Sequence, residues 1–156
     1  RTVREMLSEL EELRDELLDL MEKDIEAYES VNSALKMPRD TEVQRASRKQ
    51  ALDGAFRSAI EPPLRIVQKV SRVSSIAAKL VDIGNPNLIT DVGVSAILAE
   101  AACAAARLNV EINVRYLGDR SLARRLAKEL ESHCQSTASV RDKVIRKINK
   151  HLKKKK

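Results

Sequence analysis

The sequence predicts an all-α fold, a multihelical bundle of about five helices around a long, alanine-rich central helix. Three observations carry that expectation. Aromatic residues make up only 2% of the 156 residues, while 43% are hydrophobic and 33% charged; strands favour aromatic and β-branched side chains, whereas Ala, Leu, Arg, Lys and Glu favour helix. Apolar residues recur at spacings of three and four through most of the chain, the period of one helix face. Four Gly and four Pro are too few for a collagen-like, mucin-like or linker composition.

The first helix is predicted over Val3 to Leu35, where Val3, Leu7, Leu10, Leu17, Met21, Ile25, Tyr28 and Leu35 fall among acids and arginines. Pro38 forbids its continuation. Thr41 followed three residues later by Gln44 is a capping-box pattern that opens a second helix carrying Leu52, Phe56 and Ile60. Glu61-Pro62-Pro63-Leu64 reads as a boundary, since proline suits a first helical turn and interrupts the turn before it. A third helix then runs to about Asp82, with Gly84 fitting a left-handed cap. The fourth begins between Asn87 and Asp91 and reaches about Tyr116 with few large side chains between Gly93 and Ala106. Small residues let neighbouring backbones approach closely, so this is the expected central helix or the seam of a dimer. Asp119 or Ser121 caps a fifth helix, with a break near Ser136-Thr137 and a last stripe of Val140, Val144, Ile148 and Leu152. Residues 1–152 are expected to form one helical domain, and 153–156 a basic tail.

Net charge is +6, but nine basic residues against one acid lie between Thr137 and Lys156, leaving the preceding chain at 20 basic against 22 acidic. A nucleic-acid-binding surface over the whole body is therefore not implied. The final lysines read as a solubility tail, with contact to a polyanion as the alternative. Two cysteines, Cys103 and Cys134, make no disulfide framework and point to a reducing, cytoplasmic setting. The apolar run from Val92 to Ala106 is short, alanine-rich and interrupted by Glu100, so no membrane span is expected. The charged start carries no secretory pattern.

No phosphate-binding glycine loop, HExxH, paired CxxC or G-x-S-x-G occurs, and no metal is expected. Chemistry must come from polar residues in otherwise apolar surroundings. The densest cluster is Gly84-Asn85-Pro86-Asn87-Leu88-Ile89-Thr90-Asp91-Val92-Gly93. Asn85 and Asn87 can tie a turn while Asp91 favours the first turn of a helix; alternatively a carboxylate and two amides edge a pocket and orient a heterocycle. Asn109 and Asn113, four apart, share a face late in the central helix, either satisfied by neighbouring carbonyls or presented to a ligand. Lys23, Asp24, Tyr28 and Lys36 form a third group, in which Lys23 and Asp24 read as a surface pair and Lys36 reaches over a cleft.

Taken in order, Lys23-Asp24-Ile25-Glu26-Ala27-Tyr28, Leu35-Lys36-Met37-Pro38, Ala59-Ile60-Glu61-Pro62-Pro63-Leu64, the stretch from Gly84 to Val94, and Leu108-Asn109-Val110-Glu111-Ile112-Asn113 resemble the cyclodeaminase domain of formimidoyltransferase-cyclodeaminase and the related bacterial methenyltetrahydrofolate cyclohydrolases. The resemblance extends to about Val144, and its specific part is Gly84 to Val94. It implies a dimeric or higher-order helical bundle acting on a one-carbon unit carried by a tetrahydrofolate derivative, with a formimidoyltransferase domain fused or in partnership.

Cyclodeamination joins N10 of 5-formiminotetrahydrofolate to the formimino carbon and expels ammonia, leaving 5,10-methenyltetrahydrofolate. That requires proton transfer and a pocket holding the two nitrogens together, without nucleophile or metal. The resemblance makes Asp91 the catalytic acid or base, Asn85, Asn87, Asn109 and Asn113 the polar lining, and Lys36 a partner for folate carboxylates. It also brings a Pro-Gly-Gly-Gly-type segment ahead of the first helix, which has no counterpart in this chain; apolar surface left open by it is expected to be covered by an oligomer. Cyclohydrolase activity on the methenyl bridge is the alternative reaction, and a noncatalytic helical interaction module the alternative from another class.

Overall fold

Thr2 opens the first helix with both halves of a capping box: its hydroxyl accepts from the Glu5 N–H at 3.3 Å, and the Glu5 carboxylate accepts from the Thr2 N–H at 3.0 Å. The computed structural model describes residues 2–154. Those residues form α1 (Val3–Leu35), α2 (Glu42–Ile83), a single 3-10 turn (Pro86–Leu88), α3 (Ile89–Leu117) and α4 (Arg120–Lys154). The predicted bounds of the first helix and the capping box of Thr41 with Gln44 are both present.

Four long helices replace the expected five because α2 runs straight through Pro62 and Pro63. A proline within a helix leaves the carbonyl four residues earlier without its N–H partner. For Pro63 that carbonyl belongs to Ala59, and the side chain of Asn113 on α3 donates to it at 2.7 Å. One of the two lost backbone bonds is thus replaced from a neighbouring helix, and both prolines are buried in the interface. The break expected at Ser136-Thr137 is also absent: Thr137, buried, turns its hydroxyl back onto the carbonyls of His133 and Cys134 within a continuous α4. Gly84 ends α2 in extended rather than left-handed backbone, and the left-handed cap falls instead on Gly118, φ 72°. Asp119 caps α4 by accepting from the Leu122 N–H at 2.9 Å, and that bond holds its carboxyl below the ordinary range. α4 includes Lys153 and Lys154; the rest of the expected tail, Lys155 and Lys156, lies outside the described residues, as does Arg1.

α2 is the hub. It packs along α1, α3 and α4, and α3 packs on α4, whereas α1 makes no close backbone approach to α3 or α4 among the described residues. The main core joins Ile60, Val67 and Val70 of α2 to Cys103, Ala106, Val110 and Val114 of α3 and to Leu126 and Leu130 of α4. Side chains of the size of Val or Leu contribute about 1.5–3 kcal/mol each when fully buried. Gly93 sits where α3 crosses α4 so closely that an added Cβ would come within 2.5 Å of Ile148 Cδ1. Polar pairs fix the registers: Glu9 with Arg72 and Glu16 with Lys69 between α1 and α2, Gln68 with Glu129 between α2 and α4, and Arg107 with Glu131 between α3 and α4.

By length and composition α3 is apolar enough to cross a bilayer, beyond what the Val92–Ala106 run alone suggested. Its small residues Gly93, Ala96, Ala99, Cys103 and Ala106, with Val110 and Val114, are buried, but the central place expected of this helix belongs to α2, the one that packs on all three other long helices. Because the α1 and α3 backbones stay apart, a groove floored by α2 opens between them.

Replacing Asn113 by Leu tests the diproline explanation. It strands the Ala59 carbonyl, and the expected loss is about 1–3 kcal/mol, the cost of an unsatisfied buried polar group. Chemical denaturation measures it; an unchanged midpoint would show that the carbonyl needs no partner.

Candidate functional site

At one end the groove deepens into a cavity of about 970 Å³, within the range that holds a cofactor-sized molecule. α1 contributes Asp24, Tyr28, Val31 and Leu35, the following turn Arg39, α2 a run from Arg45 to Ala59, and α3 Asn109, Ile112, Asn113, Tyr116 and Leu117. On α2, Arg45, Arg48, Lys49, Leu52, Asp53, Phe56 and Ala59 recur at three- and four-residue steps, so one helix face grades from cations at the mouth to apolar groups within.

Phe56 and Tyr116 stack with ring centroids 5.0 Å apart and an interplanar angle of 12°. Phe56 is buried whereas Tyr116 is exposed, which leaves an aromatic surface available to a planar ligand. Asp24 is half-buried, and that burial raises its carboxyl above the ordinary aspartate range. Perturbed carboxyls in clefts mark candidate proton-transfer groups.

The cations at the mouth are held by the turn that follows α1. Arg45 donates to the carbonyls of Arg39 and Asp40 at 3.2 and 2.9 Å, and Arg48 donates to the carbonyl of Leu35 at 3.2 Å. The Nε of Arg48 is buried without a hydrogen-bond partner. A buried donor of that kind is suited to an anionic ligand.

Of the residues singled out in the sequence, Asn109 and Asn113 line this cavity. Asn113 also carries the reading of an amide satisfied by a neighbouring carbonyl. Lys36, the exposed C-cap of α1, stands on the turn at the same end but outside the lining. Asn85, Asn87 and Asp91 are exposed and lie at the other end of α3. Eighteen residues separate Asp91 from Asn109, about 27 Å at the rise of an α-helix. Asn85 accepts from the Asn87 N–H at 3.0 Å, tying the 3-10 turn. Within one chain, the two clusters form no common site.

Asp24 and Tyr28 belonged to the weaker sequence group, and Lys23, expected to pair with Asp24, pairs with Asp19 at 2.6 Å instead. Arg39, Arg45, Arg48, Lys49 and Asp53 are not marked by the sequence pattern, since charged residues in a turn and early in a helix read as a solvated face. The available signal is that Arg45, Arg48, Lys49 and Asp53 share one face of α2 with Leu52 and Phe56.

Within the cavity lining and beyond it, α1 and α3 carry exposed apolar residues. Val94, Ile97, Leu98, Leu108, Ile112 and Tyr116 on α3 are between 43% and 65% exposed, and Leu18, Met21, Ile25 and Tyr28 on α1 are exposed as well.

Residues 1–132 match the family model described as formiminotransferase-cyclodeaminase. The chain belongs to that family. It is 29% identical over 146 residues to the methenyltetrahydrofolate cyclohydrolase of Methylorubrum extorquens, covering 94% of this chain and 70% of the relative. It is 31% identical over 117 residues to the formimidoyltransferase-cyclodeaminase of Gallus gallus, covering 75% of this chain and 22% of that much longer protein. A crystal structure of formiminotetrahydrofolate cyclodeaminase from Thermotoga maritima superposes with a TM-score of 0.83 at 26% identity, over 96% of this chain and 70% of that one. Family membership makes this an enzyme fold of folate one-carbon chemistry, and the relatives include both a cyclodeaminase and a cyclohydrolase.

Proposed function

We propose that the α1–α2–α3 cavity binds a tetrahydrofolate derivative and that the protein is a formimidoyltetrahydrofolate cyclodeaminase. The observation that carries this reading is the conjunction, in one cavity, of a half-buried carboxyl, an open aromatic face and a cationic mouth. The pterin lies on Tyr116, Asn109 orients it, and the glutamate carboxylates face Arg45, Arg48 and Lys49, with Lys36 beyond them. Asp24 accepts the N10 proton as N10 attacks the formimino carbon. The departing nitrogen needs two protons to leave as ammonia and form the methenyl cation: Asp24 passes on the one taken from N10, and Asp91 relays the second from solvent.

Asp91 enters from a second copy. Ringed by exposed Val94, Ile97, Leu98, Leu108 and Ile112, the alanines at 101, 104 and 105 are exposed on α3. These large apolar groups, with those exposed on α1, form a patch of the kind an interface of about 800 Å² per partner covers. Asp91 and Asn113 are equidistant in sequence from Ala102. An antiparallel two-fold pairing of α3 centred there sets Asp91 level with the partner's cavity and brings its charge toward the partner's Arg115, at the opposite helix end. Asn85 and Asn87 arrive with it.

The test of function is spectroscopic. Supplied with 5-formiminotetrahydrofolate, the protein is expected to generate methenyl absorbance and release ammonia. Methenyl absorbance that instead decays from supplied 5,10-methenyltetrahydrofolate, with no ammonia released from the formimino substrate, assigns the cyclohydrolase reaction. Inertness toward both leaves a noncatalytic module.

Two variants probe the parts. Arg48→Ala is expected to raise KM at least tenfold with kcat little changed, as for a contact made equally in ground and transition states; a fall in kcat alone would separate Arg48 from binding. Leu108→Glu, outside the cavity lining, is expected to yield single chains in sedimentation and to abolish turnover with helicity retained. A fully active single chain would remove the second copy from the site.

A further inference from the structure

Cys103 on α3 and Cys134 on α4 are both free thiols, with their sulfurs 3.5 Å apart. Neither is used by the cavity, which lies on another face of α3. Cys103 is wholly buried and Cys134 half-buried. Around them stand the hydroxyls of Ser71 and Thr137, within reach of Cys103, and the guanidinium of Arg107, within reach of Cys134. The side chain of His133 is turned away onto Ser71 at 2.9 Å.

A disulfide requires the sulfurs to close to about 2.05 Å, a movement of about 1.5 Å that side-chain rotation supplies when the two carbons already face each other. We propose that Cys103 and Cys134 form a reversible dithiol–disulfide latch between α3 and α4, closed by hydroperoxides and opened by thiols, independent of the folate reading.

The roles follow from access. Burial pushes the Cys103 thiol up to about 11, so it is a poor first nucleophile. Cys134, half exposed and beside Arg107, attacks the hydroperoxide: its sulfur takes the distal oxygen to become a sulfenic acid, and the remainder leaves as an alcohol or water. The Cys103 sulfur then displaces hydroxide from that sulfenic acid, its proton completing a water molecule, and the S–S bond forms. A thiol reductant reverses the process by exchange. The closed bond ties residues thirty-one apart, a loop long enough for the unfolded chain to lose substantial freedom.

The test uses the intact reduced protein, treated with hydrogen peroxide, denatured in an alkylating maleimide and digested. The expected result is loss of both thiols together, a linked peptide containing Cys103 and Cys134 within one chain, and recovery by dithiothreitol. The thermal midpoint of the oxidised form is expected to rise by about 5–10 °C. In Cys134→Ser, a near-isosteric change at a partly buried position whose folding circular dichroism checks, peroxide is expected to leave the midpoint unchanged and Cys103 alkylatable. Oxidation of Cys134 alone to higher acids, crosslinks only between molecules, or a linked form that melts no higher would overturn the latch.

Discussion

Asp24→Asn is expected to lower turnover at least a hundredfold, the usual contribution of a positioned proton-transfer group, while leaving helicity and oligomeric state unchanged. Asn keeps the shape and removes the basic oxygen. Because burial raises the Asp24 carboxyl, the acidic limb of the wild-type kcat/KM profile is expected above the ordinary aspartate range. Activity rises with pH through that limb as the carboxyl ionises, and Asn at this position abolishes the limb along with the rate. Near-normal turnover in the variant would remove Asp24 from the chemistry. Retention of the limb in a slow variant would assign it to another group.

Mixing two inactive proteins is expected to restore activity if each site draws on two chains. Asp91→Asn, like Asp24→Asn, is expected to lose at least a hundredfold alone. In a pairing that unites Asp24 of one chain with Asp91 of the other, a mixed dimer has one site carrying both changes and one carrying neither. Random exchange then leaves about a quarter of all sites intact, through the symmetry of the dimer. Sites built within one chain would stay inactive in any mixture. Subunit exchange in the same sample, followed by mass-tagging one variant, separates failure to exchange from failure to complement.

The cluster around Asp91 has the marks of a site in the sequence, yet within one chain it lies far from the cavity. Gly84 to Val94 is the most distinctive stretch of the chain, and the resemblance groups its Asn85, Asn87 and Asp91 in one site with Asn109 and Asn113 of the same helix. Helical rise separates them by about 27 Å. Proximity along one helix face says nothing about proximity in a pocket, and one chain's pattern does not reveal how a second copy would pack against it.

Other elements were open to sequence reasoning because their causes are local. The first helix, with its three- and four-residue period and Pro38 beyond its end, matches α1 at both bounds. Thr41 with Gln44 carries its own hydrogen bonds. The continuity of α2 was hidden because its cause is tertiary: the carbonyl that Pro63 leaves unpaired meets an amide fifty-four residues away, at Asn113. The cations of the cavity mouth were hidden differently. Arg45 and Arg48 are held by the turn from Leu35 to Asp40, whereas in the sequence they, like Lys49, are ordinary surface residues of the first turns of a helix.

The central claim is that the folate lies between α1 and α3 at the Asn113 end of the bundle. A crystal structure of the protein with a bound tetrahydrofolate derivative measures this directly. The account predicts the pterin in contact with Tyr116, its reacting nitrogens within hydrogen-bond reach of Asp24, and its carboxylates among Arg45, Arg48 and Lys49. A ligand held by Asn85, Asn87 and Asp91 alone, with the cavity empty, would contradict it.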